Sequence, residues 1–299
     1  MIVCGTLMGC GFIDYERRDT HPSADAASAP EDTAGTGNSS PAGVPSDGSS
    51  GAIDSPPPSG LTSIEDAWID DATVAFFHFG GASPLQSRAG SGLLEALEPD
   101  VTTSFVDGPF EGVQALDFRE GSSPLLLPDS PMWQLSEGSI DFYLRVRSCA
   151  APVGFVIEAE SILSRDAIGF DFPGHLHINL DRDCSIYARI QGESQGTENR
   201  PESELRSEVL TRDEWHHVGI NFGGAAATFS LWIDGVEHRQ RPWPHGIDGN
   251  QNPWVLGGGT YTTPEGSAEG WNAPFSMGAV ALWRISSARR DFSQTPIAD

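Results

Sequence analysis

The sequence predicts an all-β chain: a two-sheet antiparallel β-sandwich preceded by a disordered N-terminal segment. Three observations carry this. The 299 residues include 34 Gly, 22 Pro and 8 Trp and few long runs of helix formers, which favours short strands joined by turns. Strict alternation of apolar and polar residues recurs, most cleanly from Gly138 to Arg147, and a period of two puts one face of a strand on a core. The composition also changes abruptly near residue 63, dividing the chain into 1–18, 19–62 and 63–299.

Residues 1–18 open on the small and apolar Met1–Gly9 and reach Cys10. Leu7-Met8-Gly9-Cys10 resembles the lipobox of bacterial lipoproteins, in which the cysteine becomes the lipid-bearing N-terminus. The positively charged stretch that should come first is missing, and nine residues are short for an apolar region. Either the start lies upstream of Met1 and Cys10 carries lipid, or the match is accidental. Gly11 in place of Asp points, through the same resemblance, to an outer membrane. The expected placement is therefore an exported lipoprotein of the outer membrane or cell surface, otherwise a secreted protein.

Residues 19–62 read as a linker. Of the 42 residues from Asp19 to Gly60, 37 are Ser, Thr, Gly, Ala, Pro or Asp. Ordering a backbone costs about 1–2 kcal/mol per residue, more than so little apolar area offsets, so the segment is expected to be disordered.

From residue 63 strands follow one another. Ala72–Phe79, Val113–Phe118 and Leu125–Leu127 come first. In Gly138–Arg147, Ile140, Phe142, Leu144 and Val146 are expected to face inward, and Asp141, Tyr143, Arg145 and Arg147 outward. Val153–Glu158, Ala167–Phe172, His175–Leu180 and Ser185–Gln191 are further strands, and 192–207 is a polar, exposed stretch. In the segment from Asp213 to Val236, His216, Val218, Ile220 and Phe222 share one parity, as do Phe229, Leu231 and Ile233. Asp234-Gly235 supplies the positive φ angles of a two-residue turn. Trp254–Leu256 and Phe275–Ile285 complete the series, which shows neither an internal repeat nor an interior linker. It suits one domain.

Taken together, Ala115–Phe118, Gly138–Arg147, the Trp215-His216-His217-Val218 to Leu231-Trp232-Ile233-Asp234-Gly235 pair, and Leu256-Gly257-Gly258 with Phe275–Ile285 resemble the laminin G-like, concanavalin A-like lectin/glucanase jelly-roll superfamily. The resemblance covers 63–299 and implies a jelly-roll sandwich. It leaves the activity open, because the superfamily contains lectins, adhesion modules and glycan-cleaving enzymes.

The formal charge of -25 argues against nucleic acid, whose phosphates need cations, and leaves a membrane only through a lipid anchor at Cys10. All 17 basic residues are arginine; nothing physical accounts for that. Cys149 and Cys184 are the only cysteines in 63–299. In an exported domain they are expected to form a disulfide contributing up to ~4 kcal/mol on the chain-entropy model, the alternative being two free thiols.

Several constellations invite chemistry. Adjacent strand residues such as His216 and His217 point to opposite faces and cannot chelate one ion, so packing explains them better. His175 and His177 share a face, but without a third ligand nearby they read as a solvated pair. Glu158 and Glu160 share a strand face, yet jelly-roll glucanases continue with further acids where Ser161-Ile162-Leu163 stand here; Glu204-Leu205-Arg206 reads as an exposed charged strand. Relatives bind calcium through acidic rim loops, where Glu265 and Glu269 could serve; no metal ligand set is assigned, no cofactor is required, and Ca²⁺ stays open.

Sugar rings stack on aromatic faces while their hydroxyls need polar partners. Trp243, Trp254, Tyr261, Trp271 and Asn272 cluster between Arg241 and Pro274 and form the expected carbohydrate-binding patch; packing of that loop onto the sandwich is the competing explanation. The functional expectation is a non-catalytic extracellular binding or adhesion module for glycan or protein. The alternatives are a divergent glycoside hydrolase or lyase using Glu158 and Glu160, and a structural surface protein without a specific ligand.

Overall fold

A computed structural model describes residues 67–98, 101–149, 157–165, 174–192, 202–262, 268–275 and 278–296. Segments 1–18 and 19–62, with Cys10, lie outside the described residues, as do the strand expected at Ala167–Phe172 and most of Val153–Glu158.

Among the described residues seventeen strands run in chain order: β1 (Thr73–Phe77), β2 (Glu95–Ala96), β3 (Ser104–Asp107), β4 (Gln114–Phe118), β5 (Leu125–Leu127), β6 (Glu137–Val146), β7 (Ile157–Arg165), β8 (His175–Asp181), β9 (Ser185–Gln191), β10 (Glu202–Val209), β11 (Trp215–Gly223), β12 (Thr228–Ile233), β13 (Val236–Pro242), β14 (Trp254–Leu256), β15 (Gly259–Thr262), β16 (Ala268–Pro274) and β17 (Gly278–Ser286). They form two sheets. The first is ordered β13-β12-β11-β6-β17-β4-β3, with β1 also on β17; the second is ordered β10-β9-β8-β7-β14-β5-β2, with the β15–β16 hairpin attached to β7. Every pairing is antiparallel except that of β16 with β7.

The alternation read from the sequence builds the layer between the sheets. Ile140, Phe142, Leu144 and Val146 of β6 meet Val218, Ile220 and Phe222 of β11 and Leu176, Ile178 and Leu180 of β8 in one core. Burying each such side chain is worth about 1.5–3 kcal/mol. Asp234 and Gly235 take φ values of 50° and 77°, and this turn joins β12 to β13. Cys149 and Cys184 are disulfide-bonded, with Cα atoms 5.2 Å apart.

Two expectations are corrected on the outer face of the first sheet. Asp141 and Tyr143 do point away from the sandwich interior, but both are fully buried. A second apolar layer covers them: Trp68, Phe76, Val113, Ala115, Tyr143 and Leu282 form a cluster of their own, and Phe292 packs over His217 at 5.4 Å between ring centroids. Gly219 makes this possible, since a Cβ there would stand 2.6 Å from the Phe292 ring. Arg145 and Arg147 are half-buried.

Beneath that layer Asp141 holds three central strands together. Arg284 of β17 donates to both its oxygens at 2.8 Å, Nε to Oδ1 and Nη2 to Oδ2. His217 of β11 places Nε2 3.2 Å from Oδ2. Burial pushes the Asp141 carboxyl up, but the Arg284 charge and the His217 bond outweigh it and hold the group below the usual carboxylate range. Arg284 also donates to the Trp68 carbonyl at 3.0 Å and lies 4.5 Å from the centre of its indole.

A bulge makes this arrangement available. The β17–β6 register shifts between Ala281 and Arg284, with Leu282 at φ 50°. The extra residue sends Trp283 into the main core and turns Arg284 outward to Asp141.

Breaking a buried ion pair by neutralising one partner costs about 3–5 kcal/mol. Asp141→Asn is expected to lose about that much in urea unfolding, and a loss below about 1 kcal/mol would contradict the role assigned to the carboxylate.

Candidate functional site

The second sheet carries a different outer face. With Leu176, Ile178 and Leu180 directed to the core, β8 turns His175, His177 and Asn179 the other way; with Ile186, Ala188 and Ile190 inside, β9 turns Ser185, Tyr187, Arg189 and Gln191 outward. β7 contributes Ser161, opposite Asn179, and Ser164, opposite His177. On β10, Glu202, Glu204 and Arg206 are exposed while Ser203 and Leu205 are buried. The stretch 192–207, expected to be polar and exposed with a charged strand at Glu204–Arg206, thus ends in an edge strand that alternates because one of its faces is covered.

A second bulge creates the β7 part of this face. The register shifts between Ser161 and Leu163, so Ile162 and Leu163 both enter the core. Ser161 and Ser164, three residues apart, then share the polar side. Regular alternation would have put Ser161 with Leu163.

The face has a buried floor and an open rim. Ser161 and Gln191 are 0% exposed and Asn179 1%. Ser161 Oγ, Asn179 Oδ1 and Gln191 Oε1 have no hydrogen-bond partner among the described residues. Each such buried group left unsatisfied costs about 1–3 kcal/mol. Ser164 Oγ donates to the Gly258 carbonyl at 3.0 Å.

At the rim the charges are paired. Arg189 Nη2 lies 2.7 Å from Glu202 Oε2, and its Nε 3.6 Å from Glu204 Oε1. Burial lowers the guanidinium's proton affinity, but the Glu202 bond and charge more than offset this and raise it. Tyr187 donates to Glu204; burial first, and then that bond, push its phenol well above the ordinary range. Arg206 pairs with Asp181 and lies 3.5 Å from Asp183.

The aromatic patch expected between Arg241 and Pro274 divides in two. Trp243 and Trp254 are 3% and 0% exposed and belong to the main core, which removes both as sugar platforms. Arg165 packs beside Trp254. Fully buried, it donates to the carbonyls of Trp133 at 2.7 Å, Ile247 at 2.9 Å and Asn250 at 2.6 Å, and its guanidinium lies 5.6 Å from the Trp254 ring. Burial lowers its pKa to about 10, so it keeps its charge at neutral pH while binding the 243–254 segment to the end of the sandwich. Tyr261, Trp271 and Asn272 belong to the β15–β16 hairpin rather than to a loop. The β16 backbone runs beside the polar face, with Asn272 opposite Ile157 and Pro274 opposite Ser161.

The remaining expected residues fall as follows. His175 and His177 share a face, their ring centroids 4.3 Å apart, but at 7% and 6% exposure they are buried rather than solvated. Glu160 stands opposite Leu180 on the interior side and is 2% exposed, turned away from any substrate on the polar face. Glu204 is exposed on an edge strand, as expected. Glu265 lies outside the described residues. Among the described residues no group of three or more His, Cys, Asp or Glu is placed to hold a metal ion.

Ser161, Asn179 and Gln191 were not singled out from the sequence. The signal existed in the alternate polar residues of His175–Asp181 and Ser185–Gln191, the mark of strands with one face off the core.

A separate cleft of about 360 Å³ lies over the first sheet, between Ala67–Trp68 and Asp291–Pro296, lined also by Arg284, Arg289 and Arg290. Arg290 pairs with Asp70 at 2.6 Å.

No family model matches the chain, and no curated protein matches it. Solved structures do resemble it. The binding domain of Paraclostridial Mosquitocidal Protein 1 superposes with a TM-score of 0.55 at 15% identity, covering 75% of this chain and 51% of that one. Domain 4 of AbnA, a GH43 extracellular arabinanase from Geobacillus stearothermophilus in complex with arabinotriose, gives 0.50 at 16% identity over 76% of this chain and 98% of that one. The binding domain of botulinum neurotoxin DC in complex with SialylT gives 0.50 at 10% identity over 74% and 49%. The match spans about half the length of the two toxin domains. At these identities the likeness establishes the β-sandwich fold.

His216 and Asp234 form a titratable pair at the β12–β13 turn. His216 Nδ1 lies 2.7 Å from Asp234 Oδ2, and Nε2 3.0 Å from the Thr211 carbonyl. Both partners are acceptors, so the imidazolium, which donates from both nitrogens, fits best. Burial pushes the His216 pKa down, but the Asp234 bond and charge outweigh it and raise it. For Asp234 burial pushes up, and the His216 bond leads the effects that lower it. A raised histidine stabilises below its unfolded pKa and a lowered carboxyl above its own, so the pair contributes most between about pH 4 and 6.5. The Tm difference between the native chain and Asp234→Asn should peak in that window. It should shrink below it as Asp234 protonates and above it as His216 loses its proton. A difference flat from about pH 3 to 9 would contradict this.

Proposed function

We propose that the chain is a non-catalytic glycan-binding module, acting through the polar outer face of β7, β8, β9 and β10 and displayed outside the cell. The observation that carries this reading is the set of buried polar atoms on Ser161, Asn179 and Gln191 that the protein leaves unsatisfied. Folding gains nothing from them, whereas a hydroxyl-rich ligand would supply the missing bonds. Such uncompensated cost is expected at sites kept for binding.

Two further points support it. The arabinanase domain of the same fold is in complex with arabinotriose, a glycan. In addition, β16, which carries Trp271 and Asn272, borders the polar face through its pairing with β7, so these residues and Tyr261 are proposed as its aromatic margin. Binding without catalysis is preferred because Glu160, one of the two acids a hydrolase reading needs, is turned to the interior. Export and a lipid anchor at Cys10 belong to the same proposal, resting on Leu7–Cys10 and the composition of 19–62. Calcium is not needed for it.

Asn179→Leu separates binding from folding. Replacing an unsatisfied buried amide by an apolar group of similar size is nearly neutral or stabilising. The variant should keep its Tm, yet lose about tenfold or more of its affinity for glycans identified on an array, as measured by titration calorimetry. Trp271→Ala should weaken binding as well. Unchanged affinity in Asn179→Leu would overturn the assignment of this face.

A further inference from the structure

We infer that the polar face selects uncharged or amine-bearing, hydroxyl-rich glycans and rejects those carrying carboxylate or sulfate groups. This specificity rests on the glycan-binding reading and narrows it.

The missing bonds have a polarity. Asn179 Oδ1 and Gln191 Oε1 are carbonyl oxygens, which only accept hydrogen bonds, and the third atom, Ser161 Oγ, is a hydroxyl that can accept or donate. What the floor lacks is mainly donors; among the described residues of this face Arg189 Nε is the one buried N–H that likewise has no hydrogen bond, and it lies 3.6 Å from Glu204 Oε1. Sugar hydroxyls, acetamido N–H groups and ammonium groups provide them; an ionised carboxylate or a sulfate is acceptor-only and leaves the two carbonyls unpaired.

Among the described residues of this face, both arginines already stand against carboxylates. Arg189 is engaged by Glu202 and Glu204, and Arg206 by Asp181 and Asp183. Arg165 on β7 points to the interior, where backbone carbonyls and the Asp129 carboxylate accept its hydrogen bonds. Across 175–192 and 202–209 the five acids Asp181, Asp183, Glu202, Glu204 and Glu208 face the three arginines Arg182, Arg189 and Arg206. An anionic sugar would thus approach a face on which acids outnumber arginines, on a chain of net charge -25, losing hydration without gaining an unshared counter-charge. Discrimination of this kind works through what it repels as much as through what it binds.

The test titrates the full chain with arabinotriose and a panel of neutral and amine-bearing oligosaccharides, each beside its sialylated or sulfated counterpart. Neutral members should bind about tenfold or more tightly than their anionic counterparts. Their affinity should change less than about twofold between 50 and 500 mM NaCl, since no ion pair with the ligand is made. Preference for the sialylated or sulfated members would overturn the inference and leave the glycan-binding reading standing. Binding to no member of either set would overturn both.

Discussion

Asp141 has no contact with water, yet it is ionised, and three strands of the first sheet converge on it. Arg284 reaches it from β17 with two bonds and His217 reaches it from β11, while Asp141 itself sits mid-way along β6. A charge in that position is tolerable only while both partners and the cover above them stay in place. The cover comes from both ends of the described sandwich: Trp68 before β1, stacked on the Arg284 guanidinium, and Phe292 after β17, seated where Gly219 leaves room. The ion network thereby couples the closing of the first sheet to the docking of the segments that flank the fold. It commits that sheet's outer face to stability.

Much of this was legible in the sequence. Strands β9 and β14 fall on the residues that alternation and flanking turns indicated, β6 and β8 differ by a residue at their ends, and the disulfide and the Asp234-Gly235 turn form as expected. What alternation could not report is whether a face turned from the core meets solvent. Asp141 and Tyr143 occupy outward positions and are nevertheless buried, because the residues that cover them lie about seventy positions before and a hundred and fifty after, as Arg284–Trp68 and Tyr143–Pro296 bonds attest. The bulges were equally hidden. One extra residue in β17 and one in β7 reverse the parity beyond them, and these two irregularities place Arg284 on Asp141 and Ser161 beside Asn179.

The expected aromatic site shows the same limit from the other side. Indoles at Trp243 and Trp254 look like exposed platforms in a loop rich in Gly, Pro and Asn, and become core once Arg165 gathers the surrounding carbonyls. The other residues expected there lie on the β15–β16 hairpin, which pairs with β7 beside a polar floor that no aromatic motif advertised.

The functional claim comes down to which outer face meets the ligand. Amide chemical-shift mapping of the full chain during titration with a neutral oligosaccharide addresses this directly. Shifts centred on Ser161, His177, Asn179, Tyr187 and Gln191 are the predicted result. Shifts centred instead on the arginine-lined cleft between Trp68 and Pro296 would contradict the account.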